Sequence, residues 1–221
     1  MITVHHLENS RSFRVVWLLE SLGVDFKIKG YKRNPKTSLA PKELLKISPL
    51  GKSPVLQIDD VILPETGAIF EYVLAHFDKE HRFHPKVDDS SFKDYVFWLH
   101  FAEGSLMWPL VIKLIFSKTT EKVPFFLKPC SKLIFMAIKK AYLDHTLEKA
   151  LEYTEKDLEQ NEWFLGEEIS AADFIMSFPL EAAVEGHTNM DSYPKIKAFV
   201  ARVQARKDYQ QALKRSKESL A

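Results

Sequence analysis

The sequence changes its periodicity once, and that change limits the fold more than any other feature. Over roughly the first 77 residues, runs of strand length alternate with helical spacing, and after the stretch DKEHRFHPKVDD, Asp78 to Asp89, strand-like alternation stops. Ile2 to His6 reads as a buried strand. Phe13 to Leu22 carries apolar residues at 15, 16, 18, 19 and 22, a broad helical face that Gly23 ends. Val24, Phe26 and Ile28 alternate with Asp25, Lys27 and Lys29 as in a half-buried strand, and Pro41 opens a short helix over Lys42 to Ile47. Val55 to Ile58 and Val61 to Leu63 flank Asp59-Asp60 as a hairpin, and Thr66 to Phe77 returns to helical spacing. The order β-α-β-α-β-β-α describes a mixed sheet with helices on its faces.

Downstream, Ser90 to Phe116 and Ser131 to Asn161 read as two long helices separated by the proline-containing KVPFFLKPC, and they are expected to pack side by side. Ser170-Ala171-Ala172-Asp173 has capping-box spacing, with Asp for the commoner Glu. It opens an apolar run to about Glu185 in which Pro179 predicts a kink. Tyr193-Pro194 starts a further helix with Ile196, Phe199, Val200 and Val203 on one face. The expected organisation is therefore α/β plus all-α, with a mixed domain over 1–79, a linker over 80–89 and a helical domain over 90–221.

Composition narrows the function classes. The 31 Lys+Arg nearly cancel the 30 Asp+Glu, so the overall charge gives no reason to expect a nucleic acid or acidic membrane partner. Cys130, the only cysteine, excludes an internal disulfide framework or a cysteine zinc cluster and fits a reducing compartment. Met1 to His6 lacks the basic and long apolar regions of a secretory signal. The most apolar stretch, Val123 to Ile138, is interrupted by Lys128, Pro129 and Lys132, short of the ~20 clean residues of a membrane span. No span and a cytoplasmic location are expected. His76, His81 and His84 have no compact ligand spacing, so they read as surface or linker residues and no metal is expected.

Between the first strand and the first helix lies a polar knot, Asn9-Ser10-Arg11-Ser12. On local sequence alone, Asn9, Ser10 or Ser12 reads as an N-cap worth ~1 kcal/mol.

Five segments then coincide. NSRSFRVVWLLESLG, SPLGKSPVL, PETGAIFEYV, SAADFIMSFPL and YPKIKAFVARVQARKDYQQAL occur in the order and spacing of the cytosolic glutathione S-transferase family, over essentially the whole chain. The Ser-x-x-x-Arg start and FAEGSLMWPL resemble fungal and bacterial members. The resemblance implies a thioredoxin-like glutathione-binding domain followed by an all-helical domain that contributes a hydrophobic acceptor site. It implies conjugation of the glutathione thiolate to hydrophobic electrophiles in a homodimer. Glutathione is the implied cosubstrate, with no tightly bound cofactor. Two alternatives share the fold: a glutathione-dependent peroxidase or thiol-disulfide oxidoreductase, and a non-catalytic carrier of hydrophobic ligands. Serine rather than cysteine at position 10 argues against mixed-disulfide chemistry. The retained Ser10, Ser53, Glu65 and Thr66 argue against a carrier.

Such chemistry requires a thiolate at neutral pH. A free thiol has a pKa of ~8.5, and lowering it by ~2 units takes ~2.7 kcal/mol of preferential stabilisation of the anion. A hydroxyl donating to the sulfur at a helix N-terminus supplies stabilisation of that kind. By resemblance the thiol-activating residue is Ser10, in the spacing Ser10-x-x-x-Arg14, with Ser12 and Asn9 as fallbacks; no tyrosine precedes Tyr31 to serve a tyrosine-type site. Ser53-Pro54 matches the family's residue and cis-proline whose backbone pairs with the cysteinyl part of glutathione, though serine stands where the family usually has an apolar residue. Glu65-Thr66 stands at the Glu-Ser pair that holds the γ-glutamyl end, and Lys52 at a position that contacts the glycyl carboxylate. The acceptor pocket is expected from Phe13, Tyr95, Trp98, Phe101, Leu106 and Trp108. Phe116, Phe125, Phe126 and Phe135 extend that pocket or pack the helical pair. Arg14 supports Ser10 or the domain interface, Cys130 reads as a packing residue, and Asp173 as a buried cap with a folding role.

Overall fold

The computed structural model describes residues 1–186 and 189–221. Strand β1 (Ile2–Leu7) leads into helix α1 (Ser12–Leu22), followed by β2 (Lys27–Tyr31), α2 (Lys42–Ile47), β3 (Val55–Ile58), β4 (Val61–Pro64) and α3 (Thr66–Phe77). The strands form one mixed sheet in the order β2-β1-β3-β4, with β1 parallel to β2 and antiparallel to β3, and β3 antiparallel to β4. The expected order of elements holds. Strand β2 starts later than the alternation predicts. Gly23 ends α1 at φ 68°, and the following Val24 N–H turns back to the Leu19 carbonyl, so residues 24–26 complete the turn and pairing begins at Thr3 with Lys27.

From Phe92 the chain is helical. Helix α4 (Phe92–Phe101) continues through a π-helical segment, Ala102–Met107, into α5 (Trp108–Lys122). After a short 3-10 turn, α6 (Lys128–Ile138) continues through a second π-helical segment, Lys139–Leu143, into α7 (Asp144–Gln160). Helices α8 (Ala171–Gly186), α9 (Pro194–Ala205) and α10 (Lys207–Glu218) complete the chain. Only one helix was expected after Tyr193-Pro194. Arg206 breaks them with an extended backbone, ψ 140°, and its guanidinium bonds Asp208.

Trp17 of α1, fully buried, joins the two halves: its ring lies 4.2 Å from Phe174 of α8 and 5.2 Å from Tyr209 of α10. Asp173 seals the start of α8. Its carboxylate accepts the Phe164 and Ser170 N–H groups and the Ser170 hydroxyl, while burial pushes its pKa up to about 6. Within α8, Pro179 lacks the N–H that would bond the Ile175 carbonyl four residues back. The buried Arg14 guanidinium of α1 takes that carbonyl at 2.5 Å.

The helix Phe92–Lys122 is long and apolar enough to cross a membrane by length and composition. Its first half nonetheless packs Tyr95, Trp98, Leu99 and Ala102 into the core.

Candidate active site

The knot between β1 and α1 brings three serines together. Asn9 turns the chain at φ 48°, a conformation asparagine tolerates. Helix α1 then starts at Ser12, whose N–H donates to Ser10 Oγ at 3.3 Å. Ser10 Oγ lies 2.7 Å from Ser12 Oγ and 3.4 Å from Ser53 Oγ, and Ser12 Oγ lies 2.9 Å from His6 Nδ1.

Counting protons along this chain fixes its direction. Ser53 donates its hydroxyl proton to the His5 carbonyl at 3.1 Å, which can only accept. Toward Ser53, Ser10 must therefore be the donor. With its single proton so directed, Ser10 accepts from Ser12, and Ser12 accepts from His6 Nδ1–H. Burial holds the His6 pKa down to about 4, so the ring is a neutral donor at neutral pH. The relay His6 to Ser12 to Ser10 leaves the Ser10 proton in a long bond to Ser53, one that a stronger acceptor would capture. Ser12, with no exposed surface, also accepts the Leu7 N–H at 3.2 Å. Its neighbours occupy it, which separates it from Ser10.

Ser10 lies where two clefts meet. The first, of about 440 Å³, is lined by Asn9, Ser10, Arg33, Lys52, Ser53, Pro54, Glu65 and Thr66 from the mixed half, and by Met107, Val111, Leu114 and Phe178 from the helical half. All five residues expected at a glutathione site stand in this cleft, and the Ser53-Pro54 peptide is cis. Glu65 is exposed and precedes α3 at φ 74°, a left-handed backbone that costs a non-glycine residue of order 1–3 kcal/mol. Thr66 is buried at the first position of α3. Arg33 was not singled out in the sequence. Its guanidinium donates to the carbonyls of Glu8, Asn9 and Ser38, tying the loop after β2 to the knot.

The second cleft, of about 420 Å³, is lined by His6, Ser10, Phe13, Phe178, Glu181, Tyr209 and Leu213, among others. The Tyr209 hydroxyl donates to Glu181 at 2.7 Å. Phe178 borders both clefts; in the sequence it stood only within SAADFIMSFPL, with no role assigned.

Most of the expected acceptor pocket lies elsewhere. Phe13 reaches the second cleft. Tyr95, Trp98 and Leu106 are core residues, with Trp98 packed 4.5 Å from Phe164. Phe101 packs on Trp98 and Tyr153, and Trp108 lies 5.8 Å from Tyr142. Tyr95, Trp98 and Phe101 precede the π-helical segment; within and after it, Met107, Val111 and Leu114 are the residues that meet the cleft. Phe116 stacks on Phe135 at 4.9 Å, and Phe125 and Phe126 are exposed, so none of the four lines either cleft. Cys130 is exposed rather than packed. His76 stacks on Tyr72, and His84 pairs with Asp78.

Arg14 belongs to the interface between the halves. Besides the Ile175 carbonyl it reaches Glu103 Oε1 at 2.5 Å, and Glu103 Oε2 accepts Arg11 at 2.7 Å. Glu103 sits on the first π-helical segment, so this contact fixes the knot against the helical wall.

Comparison with known proteins agrees with this architecture. The model of the glutathione S-transferase N-terminal domain matches residues 1–75 and that of the C-terminal domain residues 120–215. Glutathione S-transferase 1 of Saccharomyces cerevisiae is 35% identical over 95% of this chain and 92% of its own length. Glutathione S-transferase 3 of Schizosaccharomyces pombe is 36% identical over 90% of this chain and 81% of its own. The crystal structure of a glutathione S-transferase from Actinobacillus pleuropneumoniae, 33% identical, superposes with a TM-score of 0.83 over 98% of this chain and 93% of that one. With both domain models matched in order and relatives aligned nearly end to end, the chain belongs to the glutathione S-transferase family.

Proposed function

We propose that this glutathione transferase joins the sulfur of glutathione to hydrophobic electrophiles and that Ser10 holds the thiolate. The observation that carries the reading is the Ser10 hydroxyl at the junction of the two clefts, its proton in a long bond to Ser53 and its oxygen backed by the relay from Ser12 and His6. In this reading glutathione lies in the first cleft. The Ser53 backbone pairs with its cysteinyl unit, Glu65 meets the ammonium, Thr66 and the start of α3 meet the γ-glutamyl carboxylate, and Lys52 with Arg33 meets the glycyl carboxylate. As the sulfur arrives, the Ser10 proton turns from its long bond with Ser53 onto the anion. The α1 N-terminus adds its dipole. The electrophile lies against Phe178, between Phe13 on one side and Met107 and Val111 on the other, and direct attack by sulfur expels its leaving group. The protein acts as a homodimer in the cytoplasm. Support for the dimer comes from the apolar β4 edge, where Val61 is 57% exposed, and from the exposed Phe97 and Tyr153.

Ser10→Ala tests the reading. Turnover of an activated aryl halide should fall roughly twentyfold at neutral pH, the ratio of thiolate fractions for pKa values near 6.5 and 8.5, with little change in the KM for glutathione. Unchanged kcat in this variant would refute the role of Ser10. Assaying an organic hydroperoxide in parallel separates conjugation from the peroxidase reading.

A further inference from the structure

The near-neutral total charge conceals a polarised molecule. Residues 111–142, which are α5 from Val111 onward, the turn, and α6 with its π-helical extension as far as Tyr142, form a hairpin in which no residue is buried. Its two arms hold each other through Phe116 and Phe135. At the tip Phe125 is 83% and Phe126 65% exposed, and along α6 Leu133, Ile134 and Met136 are each more than half exposed. The same 32 residues carry seven lysines and one glutamate, a net charge of +6, so the remainder of a chain of net charge +1 carries −5.

We propose that this hairpin docks on the surface of an anionic phospholipid bilayer. Exposed aromatic and aliphatic side chains flanked by lysines, whose alkyl stems can lie along apolar surface while their ammonium groups stay in the headgroup layer, are the chemistry such an interface takes. A second copy of the chain is the poorer occupant: a two-fold contact would set the hairpin against itself, seven lysines facing seven. A hydrophobic protein groove is also disfavoured, because interface cores are depleted in lysine. The hairpin lies on the bilayer rather than through it. Its α5 arm is continuous with α4, whose Tyr95, Trp98 and Leu99 are in the core, and Lys128 and Lys132 interrupt the α6 arm. Leu114, on the exposed hairpin face, also lines the first cleft, so that cleft opens beside the docked surface.

The test is co-sedimentation of the full chain with phosphatidylcholine vesicles, with and without phosphatidylserine, at low and high salt. Binding should require phosphatidylserine and weaken with salt. Each lysine near the surface is worth about fivefold in partitioning, so Lys128→Ala with Lys132→Ala should weaken binding roughly thirtyfold. Phe125→Ser with Phe126→Ser should abolish it while thermal melting and transferase activity stay at the wild-type level. Four results would overturn the proposal: no binding to phosphatidylserine vesicles, equal binding to pure phosphatidylcholine, retention of binding by the phenylalanine variant, or self-association of the wild type that the phenylalanine variant removes. Should either variant melt early, the lipid and salt comparisons on the wild-type chain decide alone.

Discussion

Removing Glu103 exposes how the halves of this protein are held in register. Arg14 has no exposed surface, and its partners are Glu103, the Ile175 carbonyl and the Phe178 ring, 5.4 Å from the guanidinium carbon; its Nε has no hydrogen-bond partner. In Glu103→Ala the cation stays buried with one carbonyl acceptor. Deleting one member of a buried pair costs ~3–5 kcal/mol, and because the Glu103 side chain is 25% exposed the lower end applies, about 3 kcal/mol. For a chain of 221 residues this corresponds to a fall in Tm of roughly 6–12 °C. Urea unfolding followed by tryptophan fluorescence reads the loss directly, and calorimetry gives the Tm. Arg11→Ala breaks only the outer contact to the same carboxylate, where the arginine is 36% exposed, and should cost at most about 1 kcal/mol. Replacing the inner pair together, Arg14→Met with Glu103→Leu, should recover much of the loss, since no buried charge is then left alone. A Glu103→Ala variant within about 1 kcal/mol of wild type would refute the argument, because a buried guanidinium would then be stable without its carboxylate.

The neutral state of His6 has a pH signature. Its pKa of about 4 in the fold lies below the 6.5 of the unfolded chain, so the stabilisation is complete above pH 6.5 and is lost as pH falls through about 4, a total of roughly 3 kcal/mol. Titration of the His6 imidazole by NMR should show no protonation above about pH 5; a midpoint near 6.5 would contradict the buried relay. Asp173→Ala removes the acceptor of two backbone N–H groups and a hydroxyl and should cost about 3 kcal/mol or more in urea unfolding, and a neutral effect would show that these groups find other partners.

Much of the fold was legible because it is local. Thr66 to Phe77 and Lys42 to Ile47 form helices with the bounds their spacing predicts, and Gly23 ends α1 in the left-handed conformation that glycine favours. Strand β2 was misplaced because its start depends on pairing with β1 across the chain, which alternation does not encode. The polar half of the first cleft was legible through short motifs that carry their own backbone geometry. Its apolar half was not. The aromatic stripe from Tyr95 to Trp108 has helical spacing, which a core face and a pocket wall share, and Tyr95, Trp98 and Leu106 went to the core. Arg14 and Pro179 illustrate a third case. Each was noted alone, yet their relation through the Ile175 carbonyl exists only once α1 lies against α8.

The central claim is that the Ser10 proton stabilises a sulfur anion. Titrating the thiolate ultraviolet absorbance of glutathione bound to the protein measures this without any electrophile. The wild-type complex should ionise near pH ~6.5, about 2 units below the free thiol, and Ser10→Ala should return the bound thiol toward ~8.5 while still binding glutathione. A Ser10→Ala complex that ionises like the wild type would contradict the account and assign the anion to other donors of the knot.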